Sequence, residues 1–149
     1  MKYQQEFLAS VYIECQNLID LHWQDIALNK DKIKLNPDWD RYEEAEKNGD
    51  LKIFTARSNE QLVGYFACLI SVSLHYKDHI FAHNDVLFLH PDYRKGLAGW
   101  HLMRFAEQCL RDDGVSLLMV NTKIHKPFDV LLQRLGYTHI ENLYSKALN

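Results

Sequence analysis

The 149-residue sequence has few cysteines and no apolar segment long enough to cross a bilayer. Cys15, Cys68 and Cys109 are odd in number, widely spaced and set in apolar surroundings, which excludes a disulfide framework and predicts buried thiols in a reducing compartment. The first residues lack the basic-then-apolar pattern of a secretion signal, and no repeat, linker or low-complexity segment interrupts the chain. We therefore expect one soluble, cytoplasmic domain over residues 1–149, with no membrane partner.

An excess of basic residues is also missing. The chain holds 17 Lys and Arg against 20 Asp and Glu, which argues against nucleic acid as the main partner because phosphate backbones are bound by basic faces. Residues 1–50 carry 11 acids and 6 bases, whereas residues 51–149 carry 9 acids and 11 bases. The acids crowd into residues 38–50, a pattern typical of a solvated helix face but one that also favours a cationic ligand.

The hydrophobic spacing predicts an α/β domain. Apolar residues at helical intervals indicate an amphipathic helix over about 5–27, and a short acidic helix follows over 39–47. The later elements are predicted as strands Leu51–Arg57, Leu62–Leu74 and Ile80–Leu89, a helix from Ala98 to Leu110, a strand Val115–Val120, a helix from Pro127 to a Gly136 cap, and a last strand Tyr137–Leu148. Antiparallel pairing followed by parallel crossovers predicts a mixed sheet flanked by about four helices.

The segment Asp85–Gly99 carries the strongest functional signal. An apolar strand with one acid at its head passes through a Pro-Asp turn into the basic, glycine-bearing run Arg94-Lys95-Gly96-Leu97-Ala98-Gly99, which opens an amphipathic helix. Unpaired amides at a helix N-terminus, aided by the helix dipole, favour an anion of phosphate size. Taken alone, the glycine pair is equally typical of a turn with a close helix–sheet contact.

This segment resembles the central motif of the GNAT superfamily of acyl-CoA-dependent N-acyltransferases, in which a strand is followed by an Arg/Gln-x-x-Gly-x-Gly/Ala loop. Pro91-Asp92-Tyr93-Arg94 and Gly99 match that register, and Leu135-Gly136-Tyr137 is similar to the family's Leu-Gly-Phe ending. Leu97 stands where the family's first glycine usually lies, and Gly96 is one place earlier. The resemblance implies a single-domain GNAT-like acyl-CoA N-acyltransferase fold.

The resemblance also implies acetyl-CoA as a co-substrate. The strand residues Leu87, Phe88 and Leu89 would then offer backbone groups to the pantetheine arm, with the N–H near Leu87 polarising the thioester carbonyl. The pyrophosphate would lie on the loop and first helical turn, formed by Arg94, Lys95, Gly96, Leu97, Ala98, Gly99 and Trp100. His125 falls where the family often has an Asn against the cofactor arm, and Asn121 is an alternative for that contact.

The implied reaction includes two proton transfers, each made by a side chain directly or through water. A free alkylamine has a pKa of about 10, so the attacking amine must lose a proton. Asp85 lies in the register of a family acid and is the expected base, although a strand-edge hydrogen bond would also explain it. The family's helix tyrosine, which protonates the leaving thiolate, is absent because Leu132 occupies its position. Tyr144 is the substitute we expect, and a structural tyrosine is the alternative.

Two further groups of histidines lie outside this motif. His75, His79 and His83 recur every four residues, but they fall on a predicted turn and strand with no carboxylate or cysteine in register, so no metal site is predicted. His22-Trp23 ends the first helix, which in the family walls the acceptor site. This pair is interpreted either as a substrate contact or as a packed aromatic edge.

The sequence therefore predicts an N-acetyltransferase that moves an acetyl group from acetyl-CoA to a primary amine by direct attack within a ternary complex. The acceptor would be a small-molecule or protein amine, with the acidic first third favouring a cation such as a polyamine, an aminoglycoside or a lysine. Exposed sheet edges allow a homodimer. The alternatives are a non-catalytic GNAT-fold protein that binds CoA or a partner, and a plain α/β interaction domain.

Overall fold

Five strands form one mixed sheet in the computed structural model, which describes residues 1–149. The elements in chain order are β1 (Lys2–Glu6), α1 (Leu8–Ile26), α2 (Trp39–Lys47), β2 (Leu51–Ser58), β3 (Gln61–Ser73), β4 (Tyr76–Leu89), α3 (Ala98–Asp112), β5 (Val115–Met119) and α4 (Asp129–Arg134). The spatial order of the strands equals their chain order. Strands β1 to β4 are antiparallel, and β5 joins β4 in parallel after the crossover helix α3. The predicted mixed sheet with four helices is confirmed.

Period-two alternation along the central strands divides the interior into two cores. On one face, Leu51, Ile53 and Tyr65 pack with α1, whose buried residues recur at helical intervals and are Leu8, Val11, Cys15, Leu18 and His22. On the other face, Phe54 and Phe66 pack with α3, whose buried stripe is Leu102, Met103, Ala106 and Leu110. The sheet is therefore covered on both sides, with α1 and α2 on one face and α3 and α4 on the other.

The predicted last strand over Tyr137–Leu148 is wrong. No secondary structure follows Arg134, and the side chains of Ile140, Leu143, Tyr144 and Leu148 are 66%, 79%, 88% and 91% exposed. These four residues are three, one and four positions apart, whereas a strand buries one face only when apolar residues alternate. This segment therefore adds neither a strand nor a buried apolar face to the sheet beside β5.

Smaller differences concern element ends. Strand β1 was not predicted because Lys2–Glu6 is polar and pairs only at an edge of the sheet. The helix predicted from Pro127 begins at Asp129 instead, and Gly136 adopts φ +88°, as a residue just beyond a helix end does. No helix combines the length and apolar character required to cross a membrane.

Candidate active site

A bulge in β4 creates the main groove of the molecule. The register pairs Ala67 with Val86 and Cys68 with Asn84, which leaves Asp85 without a partner. Strand β5 pairs with β4 only along Ile80–His83. Beyond this point the two parallel strands separate, and a groove of about 740 Å³ opens between them.

The peptide groups of Leu87 face this groove. In an antiparallel pair, successive residues alternate between bonding the partner strand and pointing away from it. The His90 N–H donates to the Val63 carbonyl on β3 at 2.8 Å, whereas the Leu89 carbonyl accepts from the Arg94 side chain at 2.7 Å on the opposite side. Leu87, two residues before Leu89, therefore directs its N–H and C=O away from β3 and towards the space left by β5.

The loop after β4 brings the start of α3 to the same groove. Gly96 adopts φ +99°, the left-handed conformation that L side chains rarely take. Leu97 has an ordinary φ of −105°, so the glycine displaced by one position still lies where the chain turns. The N-cap residue Leu97 makes no side-chain cap, and the first amides of α3 remain available to an anion.

Gly99 has a different role from Gly96. A Cβ at Gly99 would lie 3.4 Å from Leu131 Cδ2 and 3.9 Å from Leu89 Cδ2, which are ordinary van der Waals distances, so the packing does not require a glycine here. Gly99 lies in the first turn of α3 and lines the groove. Of the two glycines, only Gly96 adopts a left-handed conformation.

Arg94 holds the loop to α1. Its Nε donates to the Leu89 carbonyl, its Nη2 donates to Asp25 Oδ2 at 2.8 Å, and its guanidinium lies 5.2 Å from the centre of the Phe88 ring. The hydrogen bond from Arg94 lowers the pKa of Asp25, assisted by the charges of Arg94 and Lys126. The guanidinium therefore fixes the groove wall where α1, β4 and the loop meet.

The side chain of Asp85 binds a tyrosine from α2. The Tyr42 hydroxyl donates to Asp85 Oδ2 at 2.5 Å. Burial of the ring, and then this hydrogen bond to a carboxylate, raise the pKa of Tyr42 above its usual value. The phenol is therefore a fixed donor that orients Asp85 at the groove.

His22 lies at the junction of the groove with a second cavity. Its ring is 7% exposed, stacks on Phe88 at 4.9 Å between ring centres, and places Nδ1 3.0 Å from the Tyr65 hydroxyl. Burial lowers the pKa of His22 to about 4, against a smaller opposing effect of Asp25. The imidazole is neutral near pH 7. The position of His22 is compatible with both interpretations, a packed aromatic edge and a substrate contact, because its ring packs against Phe88 and also lines the groove.

Most of the residues expected at the site come together along the groove. Those that line it are Asp85, Leu87, Phe88, Leu89, Arg94, Gly96, Leu97, Gly99, Trp100 and His125. Lys95 and Ala98 belong to the same turn but do not line the groove. Tyr144 is 88% exposed in the segment without secondary structure, lines neither of the two main cavities, and is not brought to the other residues.

Both residues considered for the cofactor arm lie at the groove. His125 Nε2 is 3.0 Å from the Ile26 carbonyl at the end of α1. The Asn121 N–H donates to Asn84 Oδ1 at 2.7 Å, which bridges β4 and the chain after β5 where the strands part. The structure therefore keeps both residues near the groove, with Asn121 contributing its backbone to the bridge.

Tyr42 and Tyr65 were missed by the sequence analysis. Each reaches its partner across 43 residues of chain, Tyr42 to Asp85 and Tyr65 to His22. No short-range spacing encodes such a contact. The only usable signal was the aromatic character of Tyr42 on the inner side of an otherwise acidic helix.

The comparison with protein-family models decides the family. Residues 16–137 match the model described as the acetyltransferase (GNAT) family. The chain belongs to the GNAT family. A comparison of this GNAT chain with curated protein sequences gave no significant match.

Solved structures similar to this GNAT domain cover nearly the whole chain. An aminoglycoside acetyltransferase from an uncultured soil metagenomic sample has a TM-score of 0.78 at 12% identity, covering 99% of this chain and 98% of its own. A glucosamine-6-phosphate N-acetyltransferase from Arabidopsis thaliana has a TM-score of 0.74 at 14% identity, with both chains covered in full at 100%. A predicted acetyltransferase with acetyl-CoA from Clostridium acetobutylicum has a TM-score of 0.67 at 13% identity, covering 99% and 96%. At these identities the likeness shows the shared GNAT fold.

The histidines of the GNAT chain that recur every four residues are spread along a turn and a strand. His75 lies in the turn between β3 and β4, whereas His79 and His83 lie on β4. His79 Nδ1 is 2.9 Å from the Ser116 hydroxyl. No group of three or more His, Cys, Asp or Glu side chains is arranged to hold a metal ion.

Proposed function

We propose that this protein is an N-acetyltransferase that carries an acetyl group from acetyl-CoA to a primary amine by direct attack. The observation that supports it most is the groove between β4 and β5, because its backbone donors suit both ends of one ligand. The Leu87 N–H faces one end, and the uncapped start of α3 with Gly96 lies at the other. A pantetheine thioester and a pyrophosphate need donors of these two kinds.

The Leu87 amide would stabilise the charge that develops on the thioester oxygen. A donor fixed in a strand costs no reorganisation when that charge forms, and removing one such donor in other enzymes slows catalysis by about 10²- to 10³-fold. Because the donor belongs to the backbone, its position depends on the β4 bulge at Asp85 rather than on a side chain. The bulge therefore serves both the groove and the chemistry.

Asp85 would take the proton of the attacking amine. Its carboxylate lines the groove, and Tyr42 orients it through the 2.5 Å hydrogen bond. The amine nitrogen forms the new C–N bond while the C–S bond of the thioester breaks, and the proton passes from nitrogen to Asp85 directly or through water. The neutral imidazole of His22 lies at the same junction as a second polar group.

The leaving thiolate would take its proton from water. No tyrosine lines the groove, and Tyr144 lies outside it, so this proposal assigns no acid to the protein. A thiol has a pKa of about 8.5, which makes the thiolate an acceptable leaving group near neutral pH. The departure from the helix tyrosine of the family is therefore compatible with turnover.

The change Asp85→Asn tests the proposed base. We expect acetyl-CoA binding by calorimetry to stay within about twofold, because the groove donors are backbone groups, while kcat for thiol release falls by about 10²- to 10⁴-fold. The loss should shrink as pH rises towards the amine pKa of about 10, since more of the acceptor is then already neutral. Asp78→Asn is the matched control, an exposed acid on the same strand, and should leave kcat unchanged.

The same measurements separate this function from the alternatives. Acetyl-CoA binding without thiol release on any amine, unaffected by Asp85→Asn, would indicate a non-catalytic CoA-binding protein. Absence of acetyl-CoA binding would indicate an α/β interaction domain. Thiol release that persists in Asp85→Asn with an unchanged pH profile would keep the transferase and remove Asp85 as its base.

A further inference from the structure

A second cavity of about 430 Å³ lies on the α1 side of the sheet. It is bounded by α1, α2, the loop between them and the inner faces of β2 and β3, with Val86 of β4, Lys123 and Ser145 completing its wall. Of its 23 wall residues, 18 are hydrophobic. Examples are Val11 and Ile19 of α1, Trp39 of α2 and Ile53 of β2. A cavity of this size and character is typical of a small-molecule site.

The second cavity meets the groove at the acid. The two cavities share the wall residues His22, Ile26, Val86 and Lys123. Asp85 lines the groove and is hydrogen-bonded to Tyr42, which lines the second cavity. An amine whose nitrogen lies at Asp85 would therefore have the rest of its body in the apolar space.

The charges around the second cavity disfavour a polycation. None of its wall residues is acidic, and Lys123 is its one charged side chain at neutral pH, since His22 is neutral there. A second ammonium group in this space would be desolvated without a counter-charge, which is costly.

Three of the six acids in residues 38–50 have partners outside the cavity. Asp38 caps α2 by accepting from the Arg41 N–H, and Glu46 accepts from the Leu8 N–H at 2.7 Å. Glu43 pairs with Lys47 along the exposed side of α2. The acidity of this segment therefore stabilises helix ends and faces solvent, and it does not extend into the acceptor space.

We infer that the acceptor is a small primary amine with a single ammonium group and an apolar body, such as an alkylamine or a phenylalkylamine. The inference rests on the proposed acetyl transfer and narrows its acceptor. It replaces the preference for polyamines and aminoglycosides that the acidic segment suggested, because the wall beside Asp85 is apolar. The apolar body would bind among α1, α2 and β2, and the amine would attack the thioester at the shared wall.

An amine series tests this inference. Thiol release from acetyl-CoA is measured with butylamine, hexylamine, phenethylamine and spermidine, and binding of each amine alone is followed by the shift in Tm. We expect kcat/KM to rise about fourfold for each methylene buried, so that hexylamine exceeds butylamine by about 16-fold and exceeds spermidine by more. The Tm shifts should follow the same order.

A charge placed in the wall sharpens the test. Leu35 lines the second cavity and is 39% exposed, so Leu35→Glu should be tolerated by the fold. We expect at least a tenfold loss of kcat/KM for hexylamine, with acetyl-CoA binding unchanged. Leu74→Glu is the matched control, since Leu74 is fully exposed in the β3–β4 turn and lines neither cavity.

The outcomes distinguish the two proposals. Thiol release that favours spermidine over hexylamine would overturn the apolar-amine inference and leave acetyl transfer intact. Tm shifts graded by chain length without thiol release would overturn acetyl transfer and leave the apolar amine site. Octanoyl-CoA reacting faster than acetyl-CoA, with no dependence on amine chain length, would assign the second cavity to the acyl chain and overturn the inference.

Discussion

Burial makes His22 a neutral hydrogen-bonding partner at the junction of the two cavities. Its Nδ1 lies 3.0 Å from the Tyr65 hydroxyl, and the charged groups that act on it are Asp25, Arg94 and Lys123. Asp25 favours the imidazolium, whereas Arg94, Lys123 and above all burial disfavour it. The pKa of His22 is therefore about 4 in the folded protein, against about 6.5 in an unfolded chain.

This difference predicts a specific acid sensitivity of the fold. Between about pH 6.5 and pH 4 the unfolded state binds a proton at His22 that the folded state does not, so stability falls as pH is lowered through this window. From pH 7 to pH 4 the free energy of unfolding should fall by about 3 kcal/mol more in the wild type than in His22→Phe. Urea unfolding at intervals of half a pH unit measures both slopes.

The controls for His22 use the pH slope rather than the absolute stability. His22→Phe also loses the hydrogen bond to Tyr65, which shifts the whole curve but not its pH dependence over this window. His75→Phe, at an exposed position in the β3–β4 turn, removes a histidine outside the junction. Equal slopes for the wild type and His22→Phe would contradict the neutral, buried imidazole.

Among the elements, β1 is tied to its neighbours by a buried ion pair. Arg57 on β2 donates through Nε and Nη2 to Glu6 at 2.9 and 3.1 Å, and through Nη1 to Glu14 of α1 at 2.8 Å. The side chains of Arg57 and Glu6 are 9% and 11% exposed. The guanidinium of β2 therefore joins two consecutive elements, β1 and α1, that are distant from it in the sequence.

Removing this guanidinium should be costly. Arg57→Met would leave Glu6 buried without a counter-charge, and breaking a buried pair in this way costs about 3–5 kcal/mol. Chemical denaturation should show that loss. The matched control is Lys52→Met on the same strand, whose partner Asp113 is 45% exposed, and its cost should stay below about 1 kcal/mol.

A double variant checks the cause. In Glu6→Gln/Arg57→Met the uncompensated charge is also gone, so the double variant should be more stable than Arg57→Met alone. A double variant that is less stable than Arg57→Met would mean that Glu6 stabilises the fold without Arg57, through its other partner Thr55.

Sequence patterns predict elements well where they reflect burial. The stripe from Leu102 to Leu110 predicts α3, and Ser58-Asn59-Glu60 predicts a hairpin, in which Asn59 and Glu60 adopt left-handed φ values of 49° and 68°. Strand β1 is polar and the segment after Gly136 is not periodic, so neither could be assigned correctly. Whether either segment forms a strand depends on its pairing with a strand that is distant in the sequence.

The candidate site divides in the same way. Its backbone parts, the turn at Gly96 and the strand around Leu87, follow from local sequence because glycine and apolar runs have local causes. The side-chain contacts of Tyr42 with Asp85 and of Tyr65 with His22 depend on how α1, α2 and the sheet pack together. The local spacing of residues therefore does not predict these contacts.

In the whole molecule, β4 connects the two faces of the sheet. Its bulge at Asp85 opens the groove towards β5, while Val86 lines both the groove and the apolar cavity. The groove and the apolar cavity therefore share this strand and the end of α1, whose His22 and Ile26 line both. Under the proposed function, a change in amine specificity that leaves the groove intact would be made in α2, in the loop between α1 and α2, or at positions of α1 that line only the cavity, such as Val11 and Ile19.

The segment after Tyr137 gives a test at the scale of the whole molecule. Residues 138–149 belong to no helix or strand and make no backbone hydrogen bond. The free energy of unfolding of a chain that ends at Tyr137 should therefore lie within about 0.5 kcal/mol of that of the full chain. Deletion of residues 1–6 is the matched control and should be strongly destabilising, because it removes β1 and the Glu6 partner of Arg57. If ending the chain at Tyr137 costs more than about 2 kcal/mol, the segment makes ordered contacts in solution. The apolar cavity would be the first place to look for them, since Ser145 is one of its wall residues.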